Sequence, residues 1–447
     1  MPARQFETPI GALHNQYAML MTGSEHMRHG IRWLICGWAA MMIAGVARAD
    51  DPPTPGDNPN TAPPAAPQHG DQATGDWGGM RTRLENAGVT FHGTLDLDAS
   101  HVLRGGIDTE KVFFREYTDL NATLDFSKLL QWQGASMYID FASHHGPDAS
   151  AKGAGDIISF DSIEDPPYIA LAQLWFAQKL PAGFQVEVGK IDPIVDFAHM
   201  PHAELFLSSA ALYAPSIFPM PTGAHDAGGA EIFWQPKDLG PYAGAGAYYD
   251  NRQNHFLVLE GHPEKTEPTR GGMFLIEETG LHYELGAAKL PGQVAVGGWY
   301  HTGQFPRING PAAGDNDARG AGGAYAFVDQ TLWQEQQQSK TVRDLGGFLQ
   351  AGWADARTSA IDASFSAGLV AKGFIPQRPD DAVGVLAGYV HLPNAALRED
   401  HEAAFEAFYH CQILPFLSLR PDLQYIVSPS GQSPDALVAT MRLQVDF

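Results

Sequence analysis

Run after run of this chain alternates apolar and polar residues with period two, and the polar side carries full charges. "FHGTLDLDAS" sets Phe91, Gly93, Leu95 and Leu97 against His92, Thr94, Asp96 and Asp98. "DLNATLDF", "SAIDASFSAGL" and "FLSLRPDLQYIV" repeat the pattern. So does the last segment, where Met441, Leu443, Val445 and Phe447 oppose Arg442, Gln444 and Asp446. Such alternation is the signature of a strand with one apolar and one wet face. Two architectures satisfy it. A sandwich buries the apolar face against a second sheet. A transmembrane barrel turns that face to lipid and the polar face to an aqueous interior.

Three features favour the barrel. Charges recur on the polar faces, aromatic residues crowd the strand ends, and residues 76–447 supply about 23 residues for each of 16 strands with its connection. A closed barrel also ties down a terminal strand by pairing it with the first. One short helix is expected in "DWGGMRTRLENAG", with Asp76 as the cap, Gly88 as the stop, and Trp77, Met80 and Leu84 on one face. The expectation is an all-β, 16-stranded antiparallel transmembrane barrel preceded by a short helix; the resemblance given below implies the outer-membrane porin type, with the helix on the periplasmic side.

The first 75 residues read differently. Met27, Arg28 and Arg32 open an export signal, Trp33–Val46 is its apolar stretch of 14 residues, and Ala47-Arg48-Ala49 is the cleavage site. Residues 1–26 are either upstream of the true start at Met27 or a cytoplasmic extension. Residues 50–75, rich in Pro and Ala, cannot bury enough surface to order themselves. The domains expected are thus 1–26, 27–49, 50–75 and the barrel at 76–447. Removing residues 1–49 takes away four arginines and two acids, so the formal charge goes from −23 to −23 − 2 = −25. That balance opposes nucleic acid as a partner. Cys36 leaves with the signal and Cys411 is then alone, so no internal disulfide forms.

Several segments carry a resemblance. "GDWGGMRTRLENAG" resembles the opening of the carbohydrate-selective porins of the OprB family through Trp77, Gly78, Gly79, Arg81, Leu84 and Gly88. "FQVEVGKIDPIVDF" is similar to the family's Gly-Lys-x-Asp segment through Gly189, Lys190 and Asp192. "FVDQTLW" resembles its Asp-Gln-x-x-Trp strand through Asp329, Gln330 and Trp333. "IPQRPDD" and the closing "LRPDLQYIVSPSG…LVATMRLQVDF" also match, with "SPSG" a departure at one turn. The resemblance implies passive diffusion of monosaccharides or small oligosaccharides across the outer membrane. It also implies contact with membrane lipid and with the barrel-assembly machinery, through the terminal Phe447. The barrel is expected to be a monomer or a trimer.

A sugar channel needs exchangeable hydrogen-bond partners and aromatic faces, with binding weak enough to release the solute. Parity places Asp96, Asp98, Asn121 and Asp125 of the early strands inside. It does the same for Glu402, Glu406, His410, Gln412, Arg420, Asp422, Gln424, Arg442 and Gln444 of the late ones. Arg104, Arg115 and Glu116, near early strand ends, are either a constriction or loop ion pairs. Trp175 and Trp299 either stack on sugar or face the headgroups. Arg378 with Asp380 and Asp381 reads as a turn-stabilising ion pair. No catalytic constellation, cofactor motif or metal-ligand spacing stands out, and His144 and His145, being adjacent, point to opposite faces. The rival readings are a general or cation-preferring diffusion porin, an anion porin, a barrel lipase, and a secreted β-sandwich lectin or glycosidase.

Overall fold

The computed structural model describes residues 72–222, 227–250, 258–260, 271–309, 317–336 and 342–447. The expected signal and all but the last four residues of the leader lie outside these residues. The chain enters through helix α1 (Met80–Ala87) and then β1 (Val89–Arg104), β2 (Val112–Asp125), β3 (Ala135–His145), β4 (Tyr168–Leu180), β5 (Phe184–Ile191), β6 (Ala227–Trp234) and β7 (Gly240–Asp250). A three-residue β8 (Val258–Glu260) precedes β9 (Gly272–Leu285), β10 (Leu290–Phe305), β11 (Ala318–Gln336), β12 (Val342–Ala354), β13 (Ala363–Lys372) and β14 (Ala382–His391). Strands β15 (His401–Leu414), β16 (Leu417–Val427) and β17 (Ala436–Asp446) complete the sheet.

All seventeen strands belong to one sheet, and β17 pairs back onto β1. Leaving out β8, the other 16 each pair antiparallel with two neighbours, so the barrel is closed. The odd strand has a local cause. β5 is short and pairs with β4 only as far as Leu174, which leaves the far end of β4 with unpaired backbone. β8 pairs there, opposite Ile169 and Ala170.

The faces divide as the alternation requires. Leu97, Leu120, Phe141, Val188, Leu349, Leu369, Val385, Phe405, Leu423 and Met441 are exposed on the outside, where lipid replaces water. Exposed Trp132, Trp333 and Phe374 lie at one rim, and Tyr249, Tyr300, Trp353, Tyr389 and Tyr425 near the other. These are two interfacial aromatic belts. Connections at the α1 rim are short, from two residues at 415–416 to nine at 126–134. Those at the other rim include 146–167 and 192–226. Short periplasmic turns and long outer loops are the usual arrangement of such barrels.

Helix α1 forms where expected. The N-cap position falls on Gly79, at φ +86° and without a side-chain cap bond, and not on Asp76 as expected; from outside the helix Asp76 accepts from Thr82 N and Oγ1 at 2.9 Å each, and Gly88 stops the helix at φ +99°. A Cβ on Gly88 would also meet Asp125 O at 2.9 Å. Arg81 is 1% exposed, lies over the Trp77 ring, and donates to Phe91 O and, at 2.9 Å, to Phe447 O. Phe447 N in turn donates to Gly93 O at 2.8 Å. The helix therefore locks the closing strand to the opening one. Replacing Arg81 with Met strands these buried carbonyls and should cost about 1.5–3 kcal/mol, the range for hydrogen bonds to a charged donor. The check is a lower unfolding temperature in detergent, read from the heat-dependent shift in gel mobility.

Candidate functional site

The interior is shaped by two long connections that fold inward. The first, 146–167, contains a π-helical turn at Ser150–Ala154. The second, of which 192–222 is described, contains two 3-10 turns (Pro193–Val195, Pro201–Ala203) and helix α3 (Ser209–Leu212). They bond to each other, Ser162 N to Leu207 O at 2.7 Å and Ser209 N to Ser159 O at 3.0 Å. An apolar cluster backs the second connection. Phe206 packs edge-on against Phe348 and Phe408, with ring centroids 5.8 and 5.0 Å away.

Backbone entering a barrel must find acceptors for its N–H groups. Wall carboxylates supply them. Glu402 accepts from Ile157 N (2.8 Å), Ile158 N (3.0 Å) and Ser430 N (2.6 Å). Glu406 accepts from Leu207 N (2.7 Å) and Ser208 N (3.0 Å), and Glu278 from Ala198 N (2.8 Å). Wall donors serve the loop carbonyls: Arg420 to Leu205 O (2.9 Å), Gln424 to Phe160 O (2.7 Å) and Gln350 to Ala210 O (2.7 Å).

Where the barrel closes, register sets Arg420 beside Arg442, Arg442 beside Asp98, and Asp98 beside Arg115, on four neighbouring strands. Arg442 grips Asp98 with two bonds of 2.9 and 2.7 Å. Asp161, from the first inward connection, inserts between the guanidiniums. Its Oδ1 lies 2.8 Å from Arg442 and its Oδ2 2.9 Å from Arg115. Arg115 also bonds Glu164 and Ser100. Burial alone would push the Asp161 carboxyl up, but Arg115 and Arg442 outweigh it and hold it below the usual range.

The sequence expectations fall into groups. Asp96, Asp98, Arg115, Glu402, Glu406, His410, Arg420, Asp422, Gln424 and Arg442 all lie on the inward face and are buried. Asn121 faces inward on β2, and Trp175 on β4. Four candidates take places other than the lumen wall. Glu116 is opposite the exposed Leu97, so it points outward, where it meets His145 Nδ1 at 2.9 Å. Asp125 caps helix α2 (Phe126–Leu130) by accepting from Ser127 N at 2.8 Å. Arg104 lies exposed at the rim, beyond a register shift after Val102. Trp299 faces inward but is 4% exposed and packs beside Phe274 in the apolar cluster, so it supports the wall. Arg378 pairs with Asp381 at 2.8 Å across its turn, as expected. His144 is buried while His145 is exposed.

Sequence reasoning missed Asp161, Glu164 and His202, because each lies in a connection with no periodicity. Glu278 was within reach of the parity argument on "FLIEETG". Asp329 stood in a quoted motif without a role. In the structure it accepts from His202 N at 2.9 Å and from the His202 ring at 2.6 Å.

Two expected outcomes follow from these clamps. Asp161→Asn leaves Arg115 and Arg442 buried without their shared anion and should destabilise the barrel by about 3–5 kcal/mol, measured by denaturant unfolding in detergent. For His202, burial pushes the imidazolium down, but bonds to Asp329 and Asp344 outweigh it and raise the group from 6.5 to about 9. A raised folded value means the stabilisation is complete below about pH 6.5 and is lost as pH rises through about 9. Single-channel recordings should show the second connection loosening, as added current noise, between about pH 8 and 10. His202→Gln should remove that step.

Comparison with known proteins agrees with this architecture. Residues 115–447 match the sequence profile described as "Carbohydrate-selective porin, OprB family". Porin B of Pseudomonas aeruginosa is 26% identical over 423 residues, spanning 83% of this chain and 90% of that protein. A putative porin QuiX of Acinetobacter baylyi is 24% identical over 423 residues, 83% of this chain and 92% of the relative. The high-pH structure of Pseudomonas putida OprB superposes with a TM-score of 0.72 at 22% identity, over 86% of this chain and 100% of that one, which supports the fold. With its profile match, its closed 16-strand barrel and its lipid-ready outer face, this chain belongs to the carbohydrate-selective porin, OprB family, the sugar channels of the outer membrane.

Proposed function

We propose that monosaccharides and small oligosaccharides diffuse through this barrel past a mixed polar and aromatic patch on β2, β3 and β4. One observation carries the reading. Asn121, Asp140 and Gln173 form a row across the three strands, and Tyr138 with Trp175 form the adjacent row on the same inward face. The two rings stack 5.0 Å apart at 23°, and Trp175 Nε1 donates to Gln173 Oε1 at 3.1 Å. An aromatic surface suits the C–H face of a sugar, and amide and carboxylate groups beside it suit the hydroxyls. Unlike the charges at the closure, this patch keeps Asn121, Tyr138, Gln173 and Trp175 only half-buried.

Export uses the signal at 27–49 and leaves the 50–75 leader ahead of the barrel. Phe447 is the residue the assembly machinery meets. The channel works as a monomer or a trimer, surrounded by lipid.

Liposome swelling tests the sugar reading. Glucose and other neutral monosaccharides should enter faster than size-matched neutral non-sugars and amino acids. Trp175→Ala should erase part of that preference, roughly two- to tenfold for a lost contact of about 0.5–1.5 kcal/mol. Equal rates for all small neutral solutes would demote the barrel to a general porin. A cation preference in reversal potentials would make the interior acids, and not the aromatic patch, the basis of selection.

A further inference from the structure

One junction between the wall and the second inward connection is built unlike the others. Glu187 on β5 and Glu231 on β6 are direct cross-strand partners, both buried and inward-facing. Asp192 accepts from Ile194 N at 3.1 Å, starts the turn Pro193–Val195, and so brings Asp196 against the pair. One carboxylate oxygen from each of Glu187, Asp196 and Glu231 lies within 4.8 Å of the other two. At the other junctions a wall acid meets backbone N–H groups or a guanidinium. Here Glu187 receives a bond from the Gln185 amide at 2.6 Å, and Glu231 one from the Tyr248 hydroxyl. Lys179 on β4 acts on Glu187 through its charge, but no ion pair joins either glutamate to Lys or Arg among the described residues. Glu231 is 2% exposed, yet its Oε1 has no hydrogen-bond partner.

Buried carboxylates this close need either shared protons or a counter-charge, since desolvation and mutual repulsion both oppose three bare anions. The donor set is all oxygen, which selects a hard cation over zinc or copper. Calcium takes oxygen ligands at about 2.3–2.6 Å, so ligands on opposite sides of the ion are roughly 4.6–5.2 Å apart. Three oxygens within 4.8 Å of each other fit around one such ion. We propose that Glu187, Asp196 and Glu231 bind one divalent cation of the calcium class, and that the ion pins the second inward connection to the β5–β6 wall. Backbone carbonyls or water complete its shell. Binding of the ion does not depend on which solute crosses the channel.

The test uses the full barrel, refolded in detergent free of lipopolysaccharide and stripped with EDTA. Calcium titrated by calorimetry should bind with one saturable site per chain and raise the temperature of the gel-mobility shift. Glu231→Gln and, from the loop side, Asp196→Asn should each weaken binding at least about tenfold, as removal of a charged ligand does. Gel mobility before heating verifies that each variant is folded, and Glu335→Gln, at an exposed acid, should bind as the parent does. Absence of saturable calcium, magnesium or manganese binding to the folded parent at millimolar concentration would overturn the proposal. Binding that survives both Glu231→Gln and Asp196→Asn would overturn it equally, by placing the ion on surface acids.

Discussion

Everything inside this barrel depends on how backbone amides are satisfied away from bulk water. Two connections can fold into the interior only if their N–H and C=O groups find partners there, because an unpaired buried amide is costly. Glu402, Glu406, Glu278 and Asp329 supply acceptors, and Arg420, Gln424 and Gln350 supply donors. The interior polar row therefore has two duties. It forms the inner face of the barrel wall, and it fixes the connections that fold inward against that face. A substitution in that row changes both, so loss of transport alone does not identify a sugar contact.

The closure between β17 and β1 shows the same economy. Strand pairing would close the barrel, but the seam also carries Arg442 on Asp98 and Asp161 on both arginines. Asp161 thus couples the seam to the first inward connection. At the short-turn end, Arg81 couples it to α1 through Phe91 O and Phe447 O. The two ends of the seam are secured by arginines whose partners are distant in sequence. The alternation in "MRLQVDF" is one side of a junction that needs the rest of the chain to be complete.

Much of this wall was legible in the sequence, for a physical reason. A strand has a period of exactly two side chains, so one correctly placed inward residue determines the rest of its face. Asp96, Asp98, Glu406, Arg420, Asp422 and Arg442 read as inward on that ground, and all six are buried on the inner face. For Glu116 the position near a strand end leaves a constriction or an ion pair open; parity with Arg115 puts it on the outer face, and its partner there is His145. For Trp299 the sequence leaves a sugar platform or a headgroup residue open; its covered place inside the barrel beside Phe274 follows from tertiary packing. The connections were opaque. "DIISFDSIEDPP" has no period to read, and the position of Asp161 between two guanidiniums follows from tertiary placement alone. The short helix was readable because capping and a glycine stop are local signals.

The charge of the chain bears on selectivity in a way its total does not reveal. A formal charge of −23 suggests a strongly cation-attracting channel. Yet the buried wall charges at the closure are largely committed to one another or to loop amides, with Arg442 shared between Asp98 and Asp161 and Glu406 covered by two N–H groups. Charges compensated at contact distance project little field into a lumen, because opposite charges cancel beyond their separation and salt screens what remains. The groups left half-exposed around Trp175 are mainly an aromatic pair and the side-chain amides of Asn121 and Gln173. On the function proposed above, those groups discriminate by shape and hydrogen bonding, which is what distinguishes one neutral polyhydroxy solute from another. An acidic protein can therefore present a nearly neutral filter, provided that its interior acids are spent on holding the backbone in place.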